Sequence, residues 1–314
     1  MMAKLLKAKL FNIDPDVIHN RFDLLFGTDY NLVELDSGIL IPIHLQGNVC
    51  LAGLYLRNIG KENLLEFANY VFSSNSNILE ISILHTYTPF STIKAAPHWH
   101  IDLPQTIEEF DAQLSGKERQ HARYYAKKLL TEVGNICFEK IEKEMISQDI
   151  VDLYLSWKKI SHDFSYDPNL YLKDFGVSNA YLLKTGSKII AIGFDSETNK
   201  ENVYFENFAY DLEYSKYSIG MVLYHNIIES WINNHKKKAY LLGGDYEYKK
   251  RYNGICTMTY SGSIYRHPEL VSRIEKIAKL LKTIPFYKVR KFLAKSYGFV
   301  FLPKYYKKLL LQKI

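Results

Sequence analysis

Cysteine is scarce in this chain: Cys50, Cys137 and Cys256 are spread over 314 residues. They form neither a metal-binding spacing nor an even disulfide set, so a structural zinc site and a disulfide framework are not expected, and a reducing, cytoplasmic compartment is. Long apolar runs are missing too, and none approaches the roughly 20 residues that span a bilayer. The opening stretch MMAKLLKAKLFNID is interrupted by Lys4, Lys7 and Lys9. It lacks a continuous apolar region and does not read as a signal peptide. Acidic residues are absent from one segment. From Lys276 to Ile314 there are eleven Lys or Arg and no Asp or Glu, while the whole chain carries +6; the preceding residues therefore hold −5, the difference between +6 and +11. No internal repeat and no low-complexity linker interrupts the chain.

What is present is ordinary globular material, 47% apolar and 24% charged, enough for one large or two medium domains with cores of their own. Tyrosine and phenylalanine are abundant, at 25 and 17, more than a core needs unless tyrosines also line clefts. Residues 39–57 read as two strands around Gln46-Gly47-Asn48, followed by a helix near 61–73 and strands near 78–85 and 98–104. Thr106…Glu109 and Ser115…Glu118 both have the capping-box form, which predicts a helix over 116–132. DIVDLYLSWKKI (149–160) has helical spacing, with Val151, Leu155 and Ile160 assigned to one side. NAYLLKT, KIIAIGFDSE and ENVYFENFAYD are strands. The loop LEYSKYSIG, the helix MVLYHNIIESWINNHK and the strand KAYLLGG follow them. The expected class is α/β.

Three segments carry a family resemblance: QLSGKERQHARYYAKKL, YSIGMVLYHNIIE and GGDYEYKKRY. Their order and spacing resemble the GNAT acyltransferase superfamily, in its CelD-like and BioF-like acetyltransferase branch, which is related to the Fem-type transferases. The resemblance covers about residues 105–265. It implies two GNAT-like units, each a mixed twisted sheet flanked by helices, the second more complete. The expected division is a degenerate N-terminal unit over 1–104, an acyl-CoA-binding unit over 105–270 and a basic helical tail over 271–314.

The resemblance also assigns roles. Tyr217, Ser218, Ile219, Gly220 and Met221 would form the turn that presents a helix N-terminus to the pyrophosphate of acetyl-CoA or another acyl-CoA, with Gly220 allowing close backbone approach. The loop departs from the family pattern in holding one glycine, with Lys216 nearby. Glu206 would be the general base on the strand lining the acyl cleft, sharing a face with Tyr204 and Phe208. Asp245 would cap the short helix after KAYLLGG, Tyr248 would protonate the leaving thiolate, and Lys249 would stabilise the oxyanion. Trp157 and His162 fall where the acceptor wall forms, and either also suits plain packing or a surface position. His98 and His100 share a strand face without a third ligand nearby, so no metal is expected.

The activity so implied is transfer of an acyl group, acetyl first, to the nitrogen or oxygen of a sugar, amino sugar or amino compound, as in surface-polysaccharide synthesis. The acceptor is a small molecule or is lipid-linked, and nucleic acid is not an expected partner. Two alternatives stay open: a Fem-like transferase using aminoacyl-tRNA, and a non-catalytic binding protein that keeps the fold. The tail 276–314 alternates lysines with Leu, Ile, Phe and Tyr, which suits either a core contribution with solvated lysines or peripheral contact with an anionic membrane.

Overall fold

The computed structural model describes residues 4–7, 30–54, 57–90, 94–197, 201–302 and 304–313. The chain first forms β1 (Lys4–Lys7), β2 (Asn31–Glu34), β3 (Leu40–Gln46), β4 (Val49–Ala52), α1 (Lys61–Ser74), β5 (Glu80–Thr86) and β6 (Lys94–Asp102). Next come α2 (Ile107–Gln113), α3 (Gly116–Val133), β7 (Ile136–Glu142), α4 (Gln148–His162) and α5 (Pro168–Asp174). The strands β8 (Asn179–Thr185), β9 (Lys188–Glu197) and β10 (Asn202–Tyr210) lead through a 3-10 turn at Leu212–Tyr217 into α6 (Ile219–Asn233). Then follow β11 (Lys238–Gly243), α7 (Glu247–Arg251), β12 (Ile255–Tyr265), α8 (Pro268–Lys282), α9 (Tyr287–Phe301) and α10 (Lys304–Lys313).

Two compact units result, one containing residues 30–94 and 260–313, the other 95–259. The contiguous division expected from the sequence (1–104, 105–270, 271–314) gives way to a discontinuous one. Tyr260–Tyr265 of β12 pair antiparallel with β5, and this long-range ladder draws the C-terminal stretch into the first unit. In that unit β1 to β5 lie in sequence order, and only β4 and β5 are parallel. A parallel pair needs a crossover, and α1 supplies it. Its Leu64, Phe67 and Val71 pack with Val33, Ile41, Ile81 and Ile83. Ile274, Ala278 and Leu281 of α8 gather with Tyr306 and Leu310 of α10 in a separate apolar cluster.

In the second unit the strand order is β6-β11-β10-β9-β8-β7. Every pair is antiparallel except β10–β11, which α6 connects. The first five residues of β8 are all buried, because the sheet is covered on both faces. Tyr181 and Leu183 meet Leu223, Ile227 and Trp231 of α6, whereas Ala180 and Leu182 meet Val151, Tyr154 and Leu155 of α4. The caps read in the sequence are present: Thr106 Oγ1 accepts from the Glu109 N–H at 3.2 Å, and Ser115 Oγ from the Glu118 N–H at 3.2 Å. One helix face needs correcting. The buried side of α4 is Val151, Tyr154, Leu155 and Lys158, while Ile160 is 70% exposed. Nine residues at 100° per residue put Ile160 half a turn away from Val151.

Candidate active site

β10 and β11 run parallel on either side of their crossover helix, yet they pair only over Asn202–Tyr204 against Lys238–Tyr240. Past that point each strand slips against its other neighbour, β10 between Phe205 and Asn207, β11 between Tyr240 and Leu242. Leu242 takes φ +60°, a left-handed conformation that costs a branched aliphatic residue energy and kinks β11. The two strands part, and a cavity of about 890 Å³ fills the gap. Phe205 to Tyr210, Leu241 to Gly243, α4 and α7 line it.

The slip in β10 changes which side chains share a face. Strict alternation puts Glu206 with Tyr204 and Phe208; the bulge keeps the first partner and removes the second. Glu206 accepts a hydrogen bond from Ser196 Oγ at 2.9 Å and Asn207 accepts one from Lys158 of α4 at 2.8 Å, so two consecutive residues point to the α4 side. Phe208 turns to the opposite side, against Phe205 and Tyr224. Glu206 is half-buried and lines the cavity.

Tyr248 on α7 also lines the cavity, its ring edge-on to Tyr224 at 5.3 Å and to Phe208 at 5.7 Å. Burial, with Tyr246 beside it, pushes its phenol well above the ordinary tyrosine range. It therefore holds its proton at neutral pH. Lys249 is 1% exposed, and its ammonium donates to the carbonyls of Leu242 at 3.2 Å, Gly243 at 2.6 Å and Gly244 at 3.1 Å. All three of its protons are used, so it clamps the kinked end of β11 and has no donor left for an oxyanion. Burial brings its pKa down to about 8. Asp245 does not cap α7. The N-cap is Tyr246 without a side-chain bond, and Asp245 is exposed and paired with Lys250 at 3.0 Å.

At the start of α6, Ser218 adopts φ 48°, ψ 41° and gives no side-chain cap. Its carbonyl takes the N–H groups of Met221 at 2.8 Å and Val222 at 3.2 Å, while Ile219 and Gly220 present the orphan donors of the first turn. Lys216 and Lys128 both approach the Tyr217 ring, at 4.9 and 5.8 Å. A positive dipole end with two lysines beside it suits a pyrophosphate. The role expected of Gly220 needs correcting. A Cβ there would lie 2.6 Å from Cε2 of Phe208 and 3.1 Å from Cε1 of Tyr210, so this glycine seats α6 on β10.

Of the two residues expected at the acceptor wall, His162 lines the cavity, while Trp157 is partly buried and packs against the core cluster on the α4 side. Two residues went unforeseen. Lys158 occupies the apolar stripe of α4, seven positions after Val151, a spacing that was legible. Asp195 is fully buried, and Tyr181 Oη at 2.5 Å, Asn179 Nδ2 at 2.8 Å and Trp231 Nε1 at 2.8 Å all donate to it. Burial raises its pKa to about 6, against the pull of those three donors. Among the described residues, no group of three or more His, Cys, Asp or Glu is placed to hold a metal ion.

Residues 116–250 match the family model Acetyltransf_6, described as an acetyltransferase (GNAT) domain. No curated protein matches the chain by sequence. FemX is similar in structure with a TM-score of 0.56 at 8% identity, over 83% of this chain and 97% of that one. L-PGS from Bacillus licheniformis gives 0.51 at 11% identity, over 79% and 87%. The C-terminal domain (DUF2156) of a lysylphosphatidylglycerol synthetase candidate from Agrobacterium fabrum gives 0.51 at 13% identity, over 78% and 89%. At these identities the likeness is one of fold. The family match, over residues 116–250 and so less than half of the chain, is to a GNAT acetyltransferase domain, and the solved structures share its fold.

Proposed function

We propose that the cavity between β10 and β11 takes the acyl group of an acyl-CoA, acetyl-CoA first, and passes it to the amine or hydroxyl of a small or lipid-linked acceptor such as an amino sugar. The observation that carries this reading is the early end of the β10–β11 ladder at Tyr204 and Tyr240, with a cavity where pairing would have continued. Ile219 and Gly220 at the start of α6, with Lys216 and Lys128, would hold the pyrophosphate. The thioester supplies an activated carbonyl. Glu206 is the candidate base for the acceptor's proton, and Tyr248 donates its proton to the departing thiolate. In balance, one C–S bond breaks, one C–N or C–O bond forms, and one proton ends on sulfur. Calorimetric titration with acetyl-CoA tests the reading. One-to-one binding is expected. No binding of acetyl-CoA, with binding of an aminoacyl ester donor instead, would move the assignment to a Fem-like transfer.

The C-terminal stretch fits a lipid-linked acceptor. Leu280, Phe286 and Tyr287 are exposed at 68%, 69% and 53% among the lysines of α8 and α9. Phe286, Val289 and Leu293 follow helical spacing along one exposed stripe, with Lys288, Lys291 and Lys295 beside it. Among the described residues no helix is long and apolar enough to cross a membrane. A basic, aromatic face of this kind suits peripheral contact with an anionic bilayer.

A further inference from the structure

Among the described residues, three lysines of the second unit are buried, and they differ in what answers their charge. Lys236, 6% exposed, is paired with Glu197 at 2.6 Å. Lys249 is saturated by three carbonyls. Lys158, 5% exposed, has among the described residues a single acceptor, the amide oxygen of Asn207 at 2.8 Å, and sits 5.9 Å from the centre of the Tyr154 ring. A neutral amide and a ring face compensate a buried ammonium poorly, and such a charge is normally paired. Lys158 nevertheless lines the transfer cavity, with two N–H donors uncommitted.

We infer that Lys158 is the anchor for an anionic group, a carboxylate or a phosphate, on the acceptor molecule. This rests on reading the cavity as the acyl-transfer site. His162, one turn further along α4, lines the same cavity. Burial and then the Lys158 charge hold its pKa below the ordinary histidine value, so Lys158 is the cation of this pair at neutral pH. Tyr171 and Phe175, stacked at 4.6 Å, form an apolar wall nearby. An acceptor held there places its anion at Lys158 and its nucleophile at Glu206 and Tyr248. A neutral amine or alcohol lacks that anchor.

The test uses the full chain at low ionic strength, with benzoate, phenyl phosphate and benzyl alcohol as probes in calorimetric titrations, and acetyl-CoA in a parallel titration. At least one anion is expected to bind about tenfold or more tightly than the alcohol. Which anion binds distinguishes carboxylate from phosphate. Lys158→Met should abolish the preference, Lys158→Arg should retain it, and acetyl-CoA affinity should be unchanged in both. Lys158→Met should also melt at or above the wild-type temperature, since the solvent-exposed Asn207 can turn to water and a buried charge is gone. A structural lysine would lower the melting temperature. No preference in the wild type, a preference that survives Lys158→Met, or unfolding of both Lys158→Met and Lys158→Gln would overturn the inference. Failure of acetyl-CoA to bind while the anions do would strike the acyl-CoA reading alone.

Discussion

Tyr248 and Lys249 are adjacent in sequence and serve different ends. Tyr248 turns its ring to the cavity, and its hydroxyl makes no hydrogen bond to the described residues. Tyr248→Phe should therefore leave the melting temperature and acetyl-CoA affinity unchanged while lowering kcat by about tenfold or more, measured as thiol release. Equal turnover in the variant would end the acid assignment. Lys249→Met should behave oppositely. It strands three carbonyls in the kinked turn, so a loss of about 3 kcal/mol in denaturant unfolding is expected. Asp195 makes a pH-dependent contribution. Its folded pKa, about 6, lies above the unfolded carboxylate value, so between those two values the folded state binds the extra proton and stability falls as pH rises. The fall belonging to this residue is on the order of 3 kcal/mol between pH 4 and 6. It is read as the wild-type slope minus that of Asp195→Asn, and equal slopes would contradict the assignment.

At the scale of elements, α6 and β10 position the chemistry together. Gly220 brings the first turn of α6 onto the rings of Phe208 and Tyr210, and the bulge at Phe205–Asn207 is what turns Phe208 to that side. Gly220→Ala should cost about 1–3 kcal/mol through overpacking. Phe208→Leu in the same chain should recover part of the loss, because the clashing atom belongs to that ring. Additive losses in the double variant would show that Gly220 answers to something other than Phe208. α4 supplies the opposite wall, and its buried stripe carries Lys158 to the cavity by helical spacing alone.

Across the whole molecule, charge is the distinguishing feature. A formal +6 conceals a stretch of eleven cations and a remainder that is net acidic. The protein should sediment with phosphatidylglycerol vesicles at low salt, release as the Debye length falls toward 3 Å near 1 M, and ignore neutral vesicles. Binding to neutral vesicles, or to none, would assign the exposed Phe286 and Tyr287 to another partner.

Local order was open to reading from the sequence because its causes are local. Capping side chains at Thr106 and Ser115, short apolar runs such as NAYLLKT, and the α6 pattern depend on residues a few positions apart, and these elements stand close to where the sequence predicts. Tyr248 and His162, which the family resemblance assigned to the cleft and its wall, both line the cavity. The tertiary structure decided the rest. A bulge adds one residue to a ladder, and only the partner strand fixes where; that choice separated Phe208 from Glu206. Lys249 reads as a free cation until the left-handed Leu242 and Gly244 fold three carbonyls around it. The C-terminal stretch joined the first unit through pairing of β12 with β5, a contact some 180 residues long in sequence that no local pattern encodes.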